Sequence, residues 1–299
     1  MSSVAERSSR VTSTLIDHIA RVDLRVRDVE KALTFYRDVV GLEVDGQSAD
    51  HASLSPAQGS AILTLDSTGV TAPADPRATG LFHTAIRFPT RASLGDVLAR
   101  LVAARLEIGA GDHLVSEALY IDDPDGNGVE LYWDRPESEW PSPTDDMLVP
   151  MATLPVDLDG LLDDGTGEQA VGRQAPQGTD IGHVHLQVSD LGPTTRFYRD
   201  EIGLDLTGSL GADAGFFSSN GYHHHIGANR WRSRGGKPSR NDRAGLARVV
   251  FAVADDAVLD GLGRRLKDAG REMTETNGRL AIHDPDGIEL EFVSSGSGR

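Results

Sequence analysis

The stretch Val22-Asp-Leu-Arg-Val-Arg-Asp28, followed by Phe35-Tyr-Arg-Asp38 and Gly41-Leu42, occurs twice in this chain. It returns as Val184-His-Leu-Gln-Val-Ser-Asp190, Phe197-Tyr-Arg-Asp200 and Gly203-Leu204. A second motif closes each copy, as Asp123-Pro-Asp-Gly126 with Glu130 and as Asp284-Pro-Asp-Gly287 with Glu291. Repeated motifs at a constant separation predict a duplicated architecture. Differences between the two copies should then locate the function.

The composition excludes several classes of protein and of site. The chain has 299 residues, 38% of them apolar, and a formal net charge of -17. Such an acidic surface repels nucleic acid and anionic lipid, so neither is an expected partner, whereas a homo-oligomer stays open. There is no cysteine, so a metal would have to bind nitrogen and oxygen. No apolar run reaches the roughly 18 residues of a membrane span, and the N-terminus lacks a signal-peptide core, so a cytoplasmic location is expected.

The sequence of each half of the chain predicts two modules, and in each module one strand and one helix are followed by three strands. In the first module Asp28 is typical of an N-cap, and an amphipathic helix over Val29–Val39 should end at Gly41. The second half repeats this plan, with helices predicted over 191–202 and 256–269. We therefore expect an α+β fold of four βαβββ modules. The predicted domains are residues 15–137 and 179–295, joined by a linker over 138–178 that is rich in Pro, Gly and Asp.

These motifs resemble the vicinal oxygen chelate superfamily of glyoxalases, bleomycin-resistance proteins and extradiol dioxygenases. Three further stretches are similar to its two-domain catechol 2,3-dioxygenase-like branch, and the resemblance covers about residues 15 to 294. They are Asp112-His-Leu-Val-Ser-Glu-Ala-Leu-Tyr120, Glu130-Leu-Tyr-Trp-Asp-Arg-Pro136 with Trp140, and Gly221-Tyr-His-His-His-Ile-Gly-Ala-Asn-Arg-Trp231. The resemblance implies four modules that pair into two cupped-sheet domains.

In this superfamily the metal ligands come from the first and last strands of each module. The first-strand positions are Arg21, His83, His183 and Arg248, and the last-strand positions are about Leu63, Glu130, the run His223–His225 and Glu291. If modules pair within each half, only the second half supplies two imidazoles and a carboxylate. We therefore predict a metal at His183, His225 and Glu291, with His223 as the competitor of His225. His83 with Glu130 is interpreted as a relic half-site without metal.

Two imidazoles and one carboxylate favour Fe(II), with Mn(II) as the alternative, because they leave positions open for substrate and dioxygen. His185 and the histidines of the run that do not bind metal, His223 or His224, are the predicted acid–base groups, with Tyr222 as a donor. Strand alternation should place His223 and His225 on one face and His224 on the other. Arg248 and His283 are the predicted substrate-binding residues, and Arg248 favours an anionic group on the substrate.

The predicted function is an Fe(II)-dependent extradiol ring-cleaving dioxygenase, which uses dioxygen on a catechol-type substrate in aromatic-compound catabolism. One alternative is another metal-dependent enzyme of the superfamily, such as a lyase, an isomerase or a tailoring oxygenase. The other is a metal-free protein that sequesters a small molecule. One feature departs from the family pattern, since Ala281 stands where many extradiol dioxygenases carry a tyrosine. The corresponding place in the first half holds Tyr120.

Overall fold

The computed structural model describes residues 12–295, in which strands predominate over helices. The strands are β1 Ile16–Arg25, β2 Glu43–Gln47, β3 His51–Ser55, β4 Leu63–Asp66, β5 Gly80–Arg87, β6 Gly109–Asp112, β7 Ser116–Asp122, β8 Gly128–Asp134, β9 Asp180–Gln187, β10 Asp205–Leu210, β11 Ala214–Ser218, β12 Ile226–Asn229, β13 Gly245–Val253, β14 Thr274–Thr276, β15 Arg279–His283 and β16 Glu289–Ser294. The α-helices are α1 Val29–Leu33, α2 Arg91–Ala103, α3 Leu158–Asp164, α4 Leu191–Thr195 and α5 Asp256–Asp268. Short 3-10 turns cover Glu137–Glu139 and Gly167–Ala170. Of the helices between residues 12 and 295, none combines the length and apolarity needed to span a bilayer.

The helix signals read from the sequence form as predicted, with one addition. The side chain of Asp28 accepts a hydrogen bond from the Lys31 amide and so caps α1. After one turn the helix widens into a π-helix over Thr34–Val40, and the same happens after α4 over Arg196–Ile202. Each π-helix ends at a glycine in the left-handed region, Gly41 at φ 98° and Gly203 at φ 89°, where a side chain would be strained.

Each module is closed by its first and last strands, which pair in parallel. These pairs are β1–β4, β5–β8, β9–β12 and β13–β16. Two residues that lie directly opposite each other in such a pair point to the same face of the sheet. One side chain from the first strand and one from the last strand of a module can therefore meet on that face. The α+β fold of repeated βαβββ modules is confirmed.

The modules pair across the two halves of the chain. Strand β1 is antiparallel to β13, and β5 is antiparallel to β9. The first module therefore shares a cup with the fourth, and the second shares a cup with the third. The expectation that modules pair within each half was wrong, since all four first strands mix buried apolar residues with polar ones and their sequences do not specify a partner. The domain boundaries at 137, 138–178 and 179 stay predictions from sequence.

A different contact ties together the two modules within each half. The buried hydroxyl of Tyr36 donates to Asp123 Oδ2 at 3.1 Å, and that of Tyr198 donates to Asp284 Oδ2 at 3.0 Å. The repeated helix motif of one module is thus docked on the repeated Asp-Pro-Asp-Gly turn of the next. Sheet pairing and helix docking together connect all four modules.

Candidate active site

One row of side chains crosses four neighbouring strands in the cup of the second and third modules. Ala85 of β5 lies opposite His183 of β9 on one side and opposite Glu130 of β8 on the other. Tyr120 of β7 lies opposite Glu130. Residues directly opposite each other share a face of the sheet, and His83 lies two residues before Ala85 on that same face. The small side chain of Ala85 leaves space between the imidazole and the carboxylate.

His83, Glu130 and His183 converge on one point. The Nε2 atom of His83 is 2.8 Å from Glu130 Oε2, and Nε2 of His183 is 3.1 Å from the same oxygen. All three residues are buried, and their ligand atoms lie within 4.8 Å of one another. The Nδ1 atom of His183 is also buried and has no hydrogen-bond partner within residues 12–295. A buried carboxylate faced by two imidazoles is a donor set that fits a divalent metal ion.

The protonation states of these groups suit metal binding. Burial alone would raise the pKa of Glu130, but the rings of His183 and His83 lower it, and the net result is a pKa well below the usual value. Burial lowers the pKa of His183 to about 4, although Glu130 opposes that shift. At neutral pH the carboxylate is therefore ionised and the His183 imidazole is neutral. These are the forms that coordinate metal ions.

His185 stands next to this group on β9. It lies opposite His83 in the sheet, and their ring centroids are 5.0 Å apart. Its ring packs over Gly227 of β12, where an added Cβ would lie 3.0 Å from the ring. Burial lowers the pKa of His185 well below its usual value, and its Nε2 has no partner within the described residues. His185 is therefore a neutral imidazole beside the candidate ligands, and its role as an acid–base group stays a prediction.

The run of three histidines lies in an irregular segment before β12, so strand alternation does not apply to it. Asn220 and Gly221 have φ values of 57° and 77°, and the next strand starts only at Ile226. As a result His223 and His224 both line the cavity. His225 does not, because its Nδ1 faces Ser218 Oγ at 3.0 Å and accepts from the Ser219 amide at 3.3 Å. The predicted division of the run by parity was wrong.

His223 and His224 are joined to each other and to a carboxylate. Their Nδ1 atoms are 2.8 Å apart, and Nε2 of His223 is 2.9 Å from Asp134 Oδ1. Tyr222 is a neighbour in this network, since its hydroxyl donates to Asp134 Oδ2 at 2.7 Å and lies 2.7 Å from the hydroxyl of Tyr132. Tyr222 is thus bound to the network behind the two histidines. Asp134 was not among the residues predicted from sequence.

His113 and Tyr120 are two further polar groups at the cavity that the sequence analysis did not assign a role. Nδ1 of His113 donates to the carbonyl of Ala152 at 2.7 Å, so its Nε2 is free to accept from the Tyr120 hydroxyl at 2.6 Å. Burial raises the pKa of Tyr120 well above its usual value, and Glu130 raises it further. Tyr120 therefore keeps its proton. The sequence analysis had noted Tyr120 at the place that corresponds to Ala281. Because Tyr120 lies opposite Glu130 in the assembled cup, the cavity does have a tyrosine at this position, and Ala281 no longer counts as a departure from the family pattern.

The cavity in front of these groups has a volume of about 390 Å³, within the range of small-molecule sites. Two methionines of the predicted linker, Met147 and Met151, contribute to its wall, so residues 138–178 do more than connect the halves. In the part of the chain that the structure describes, neither lysine nor arginine is among the residues that line it. Its walls are formed by Phe82, His83, His113, Ser116, Tyr120, Glu130, Met147, Met151, Ala152, Thr153, His183, His185, Leu210, Phe216, His223, His224 and Trp231.

The predicted ligand Glu291 lies in the other cup, where the first module meets the fourth. Its Oε2 accepts from Arg248 at 2.8 Å and its Oε1 from Arg279 at 2.7 Å. Val250 lies opposite Arg21 on one side and Glu291 on the other, so this row corresponds to His183, Ala85 and Glu130. Two guanidinium groups, those of Arg21 and Arg248, thus lie at the positions that His183 and His83 occupy in the cup of the second and third modules.

The predicted set His183, His225 and Glu291 therefore does not form, because module pairing brings His83 and Glu130 to His183. The pair interpreted as a relic is part of the assembled site. Arg248 is bound to Asp23 and Glu291 and does not line the cavity. His283 is exposed at the end of β15, also away from the cavity. Neither predicted substrate-binding residue faces it.

Comparison with known proteins identifies the family of this chain. The profile of the Glyoxalase/Bleomycin resistance protein/Dioxygenase superfamily matches residues 15–131 and again residues 180–292. The chain is 40% identical over 280 residues to a catechol-2,3-dioxygenase of Bacillus subtilis (strain 168), with 92% of this chain and 97% of that protein covered.

Solved structures share the fold. Glyoxalase I from Zea mays superimposes with a TM-score of 0.55 at 16% identity, covering 94% of this chain and 93% of that one. The cppA protein from Streptococcus pneumoniae TIGR4 superimposes with a TM-score of 0.54 at 11% identity, covering 93% and 99%. At such low identity, the likeness to these structures supports a shared fold and does not indicate a shared activity. The repeated profile match and the 40% identity show that this chain belongs to the glyoxalase/bleomycin resistance protein/dioxygenase superfamily.

Proposed function

We propose that this protein is an Fe(II)-dependent extradiol dioxygenase that cleaves the ring of a catechol-type aromatic diol. The observation that carries the proposal is the buried group of His83, Glu130 and His183 at the wall of the cavity. The 40% identity to a catechol-2,3-dioxygenase over nearly the whole chain supports the type of reaction. A metal-free sequestration protein would have no use for two imidazoles buried against an ionised carboxylate.

His83, Glu130 and His183 would hold the metal. Two imidazoles and one carboxylate are the ligand set typical of non-haem Fe(II) oxygenases, and Mn(II) is the alternative ion. Iron(II) bound there would supply open positions at which a diol and dioxygen can meet. Because Glu130 is buried and ionised, its charge offsets part of the charge of the ion at low local dielectric.

The side chains around the proposed ligands can accept the hydroxyl protons of a diol and donate hydrogen bonds to its oxygens. A diol must lose its hydroxyl protons to bind as an anion, and neutral imidazoles in hydrogen-bond reach can accept them. His185 and His224 line the cavity and are not among the proposed ligands, and burial lowers the pKa of each well below its usual value, so both imidazoles are neutral. Tyr120 keeps its proton, and by turning its O–H from His113 Nε2 to the diol it could donate a hydrogen bond to an oxygen that gains negative charge.

The apolar wall would hold the aromatic ring and exclude water. Phe82, Phe216 and Trp231 surround His185, with ring centroids between 5.2 and 6.0 Å from its own. Between residues 12 and 295, neither lysine nor arginine lines the cavity. We therefore propose that the substituent of the diol is uncharged and apolar, in place of the anionic group that Arg248 had suggested.

Metal analysis and oxygen uptake test the proposed function. Protein purified without oxygen and loaded with Fe(II) should retain the ion, then consume dioxygen and form a yellow product when catechol is added in air. Glu130→Gln should lose the iron and the oxygen uptake. Glu291→Gln is the matched control, because it changes the corresponding carboxylate of the other cup, and it should retain both.

Two results would overturn the proposal. Iron retained without oxygen uptake on any of several diphenols would favour a lyase or isomerase of the same superfamily. Equal iron loss from Glu130→Gln and Glu291→Gln would contradict the assignment of the metal to the cup of the second and third modules.

The substrate class is tested by comparing diols that differ in charge. The values of kcat/KM should be higher for methyl- or phenyl-substituted catechols than for carboxylated ones. Trp231→Ala should reduce kcat/KM for the phenyl-substituted diol about 10-fold, the loss expected when part of an aromatic contact worth about 1–2 kcal/mol is removed. Leu154→Ala, an exposed apolar side chain that does not line the cavity, is the control. A preference for carboxylated catechols would contradict the proposed class.

A further inference from the structure

We propose that residues 147–154 form a fixed strap across the cup that holds the candidate site, and that Met147 and Met151 of this strap limit the size of the ring substituent on the diol. This inference rests on the proposed function, because it takes the occupant of the cavity to be a diol. It deepens that function by setting an upper bound on the substrate. Met147 and Met151 are the large apolar side chains that the strap contributes to the cavity wall.

The strap joins the two edges of the curved sheet that forms this cup. The strands of the cup follow the order β10, β11, β12, β9, β5, β8, β7 and β6, so β10 and β6 are its edge strands. The amides of Leu148 and Val149 donate to the carbonyl of Thr207 in β10 at 2.8 and 3.2 Å. At the other end, Leu154 and Asp112 of β6 exchange two backbone hydrogen bonds of 2.8 Å. One short segment therefore spans the cup from edge to edge.

Further contacts hold the middle of the strap. Val149 is fully buried in a small apolar cluster with Val115 and Trp140. Nδ1 of His113 donates to the carbonyl of Ala152 at 2.7 Å. A segment with buried apolar contacts and with backbone hydrogen bonds at both ends opens rarely. The strap is therefore a fixed part of the cavity wall.

A glycine of β10 makes room for Met147. Gly208 lies opposite Phe216 of β11, and an added Cβ at Gly208 would lie 2.6 Å from the methyl carbon of Met147. Residues directly opposite each other share a face of the sheet, and Phe216 lines the cavity. The Met147 side chain therefore rests on the backbone of β10 beside the aromatic wall. Met151 packs against the apolar cluster around Val149 and also lines the cavity.

The volume of the cavity fits about two aromatic rings. An apolar cavity of about 150 Å³ holds one benzene molecule, and this cavity measures about 390 Å³. The ring of the diol and one further ring therefore fill it. A larger substituent has to displace Met147 or Met151, because the backbone of the strap is held at both ends. Methionine side chains adjust to irregular gaps but still occupy volume, so they tolerate small substituents and oppose large ones.

Hydrogen exchange tests whether the strap is fixed. The amides of Leu148 and Leu154 should exchange as slowly as amides inside β7, because both donate to backbone carbonyls of the edge strands. Exchange as fast as that in the exposed turn at Gly172 would overturn the inference.

Substituted catechols of increasing size test the limit. In the unaltered protein, kcat/KM should be about 10-fold lower for a naphthyl-substituted than for a phenyl-substituted catechol, the scale on which an apolar pocket rejects excess volume. Met147→Ala and Met151→Ala should each remove most of this difference, whereas Met147→Leu and Met151→Leu, which conserve volume, should keep it. Met273→Ala is the matched control, because Met273 is a partly buried methionine that does not line the cavity. A ratio that stays unchanged in both alanine variants would contradict the size limit.

Equilibrium binding separates this inference from the proposed function. Titration of the metal-free protein with the same two diols without oxygen, followed by tryptophan fluorescence, should show the same preference for the phenyl-substituted diol. The alanine variants should lose that preference, and Met273→Ala should keep it. Absence of oxygen uptake in the unaltered protein would reject the proposed function, and the ratio of the two Kd values would still decide the size limit. Equal Kd values for both diols in the unaltered protein would overturn it.

Discussion

At the scale of single residues, the two cups differ in what surrounds an equivalent glutamate. Glu130 faces two imidazoles, whereas Glu291 faces the guanidinium groups of Arg248 and Arg279. A guanidinium keeps its charge and has no lone pair for a metal. Glu291 is therefore neutralised by fixed cations of the protein itself. The same residue type thus carries a structural ion pair in one cup and forms part of the candidate metal site in the other.

His225 is expected to make the stability of the metal-free protein fall on acidification. Burial lowers its pKa to about 3, and its Nδ1 accepts from the Ser219 amide, which requires an unprotonated nitrogen. The folded-state pKa lies below the unfolded value of about 6.5, so this stabilisation is complete above pH 6.5 and is lost as the pH falls toward 3. Between pH 7 and pH 5 the loss due to His225 should be about 2 kcal/mol. Urea unfolding across this range measures it.

The comparison of variants isolates His225 from the other buried histidines. His225→Gln should show a shallower fall of unfolding free energy with acid than the unaltered protein. His51→Gln, at an exposed side chain, serves as the control and should keep the original slope. Identical slopes in all three proteins would contradict the role given to His225.

At the scale of elements, the two repeated motifs, Phe-Tyr-Arg-Asp and Asp-Pro-Asp-Gly, contact each other in both halves of the chain. In the motif Phe-Tyr-Arg-Asp the aromatic residues are buried by the π-helix, and Arg and Asp pair at the surface. The tyrosine then meets the first Asp of the Asp-Pro-Asp-Gly turn. In the second half, Asp284 Oδ1 also accepts from the amides of Asp286 and Ile288 at 2.9 Å each. The carboxylate therefore organises its own turn and anchors the helix.

Tyr198→Phe should destabilise the protein by about 1–3 kcal/mol, because it leaves Asp284 Oδ2 buried without its donor. Burial raises the pKa of Asp284 to about 6, so the carboxylate is ionised at pH 7, where unfolding in urea should be measured. Tyr36→Phe removes the same contact in the first half and should give a smaller loss, because Asn127 Nδ2 still donates to Asp123 Oδ2 at 2.9 Å. Iron retention should be unchanged in both variants. A free energy of unfolding equal to that of the unaltered protein would show that the contact does not hold the modules together.

At the scale of the whole molecule, the candidate site belongs to neither half of the chain. His83 and Glu130 come from the second module, His183 comes from the third, and Met147 and Met151 come from the segment between them. Antiparallel pairing of β5 with β9 is what brings these parts together. The site should therefore form only when both halves fold against each other.

Dividing the chain at Gly172, in an exposed turn, tests this dependence. The fragments 1–172 and 173–299, expressed separately, should each fail to retain Fe(II), and co-expression should restore binding. Metal analysis after gel filtration measures the outcome. Iron retained by 173–299 alone would contradict the site described above and would restore the set His183, His225 and Glu291.

The sequence alone determined the elements and their repetition, because those signals are local. The cap at Asp28, the helix end at Gly41 and the parallel-strand modules follow from neighbouring residues, and the histidines and glutamates available for a metal could be named. The two candidate metal-site residues interpreted as a relic, His83 and Glu130, could not be recognised from their neighbours in the sequence. Their role depends on which strand pairs with β5, and such pairing is set by contacts between residues about 100 positions apart.

Only the tertiary structure decided which modules share a cup, and that choice selected the site. First strands of similar apolar pattern can pair with one another in several ways, and the difference lies in the packing of whole modules. The run of histidines shows the same limit on a smaller scale. The left-handed residues Asn220 and Gly221 end strand alternation before His223, so the backbone turn, and not the parity of the residue number, directs each ring.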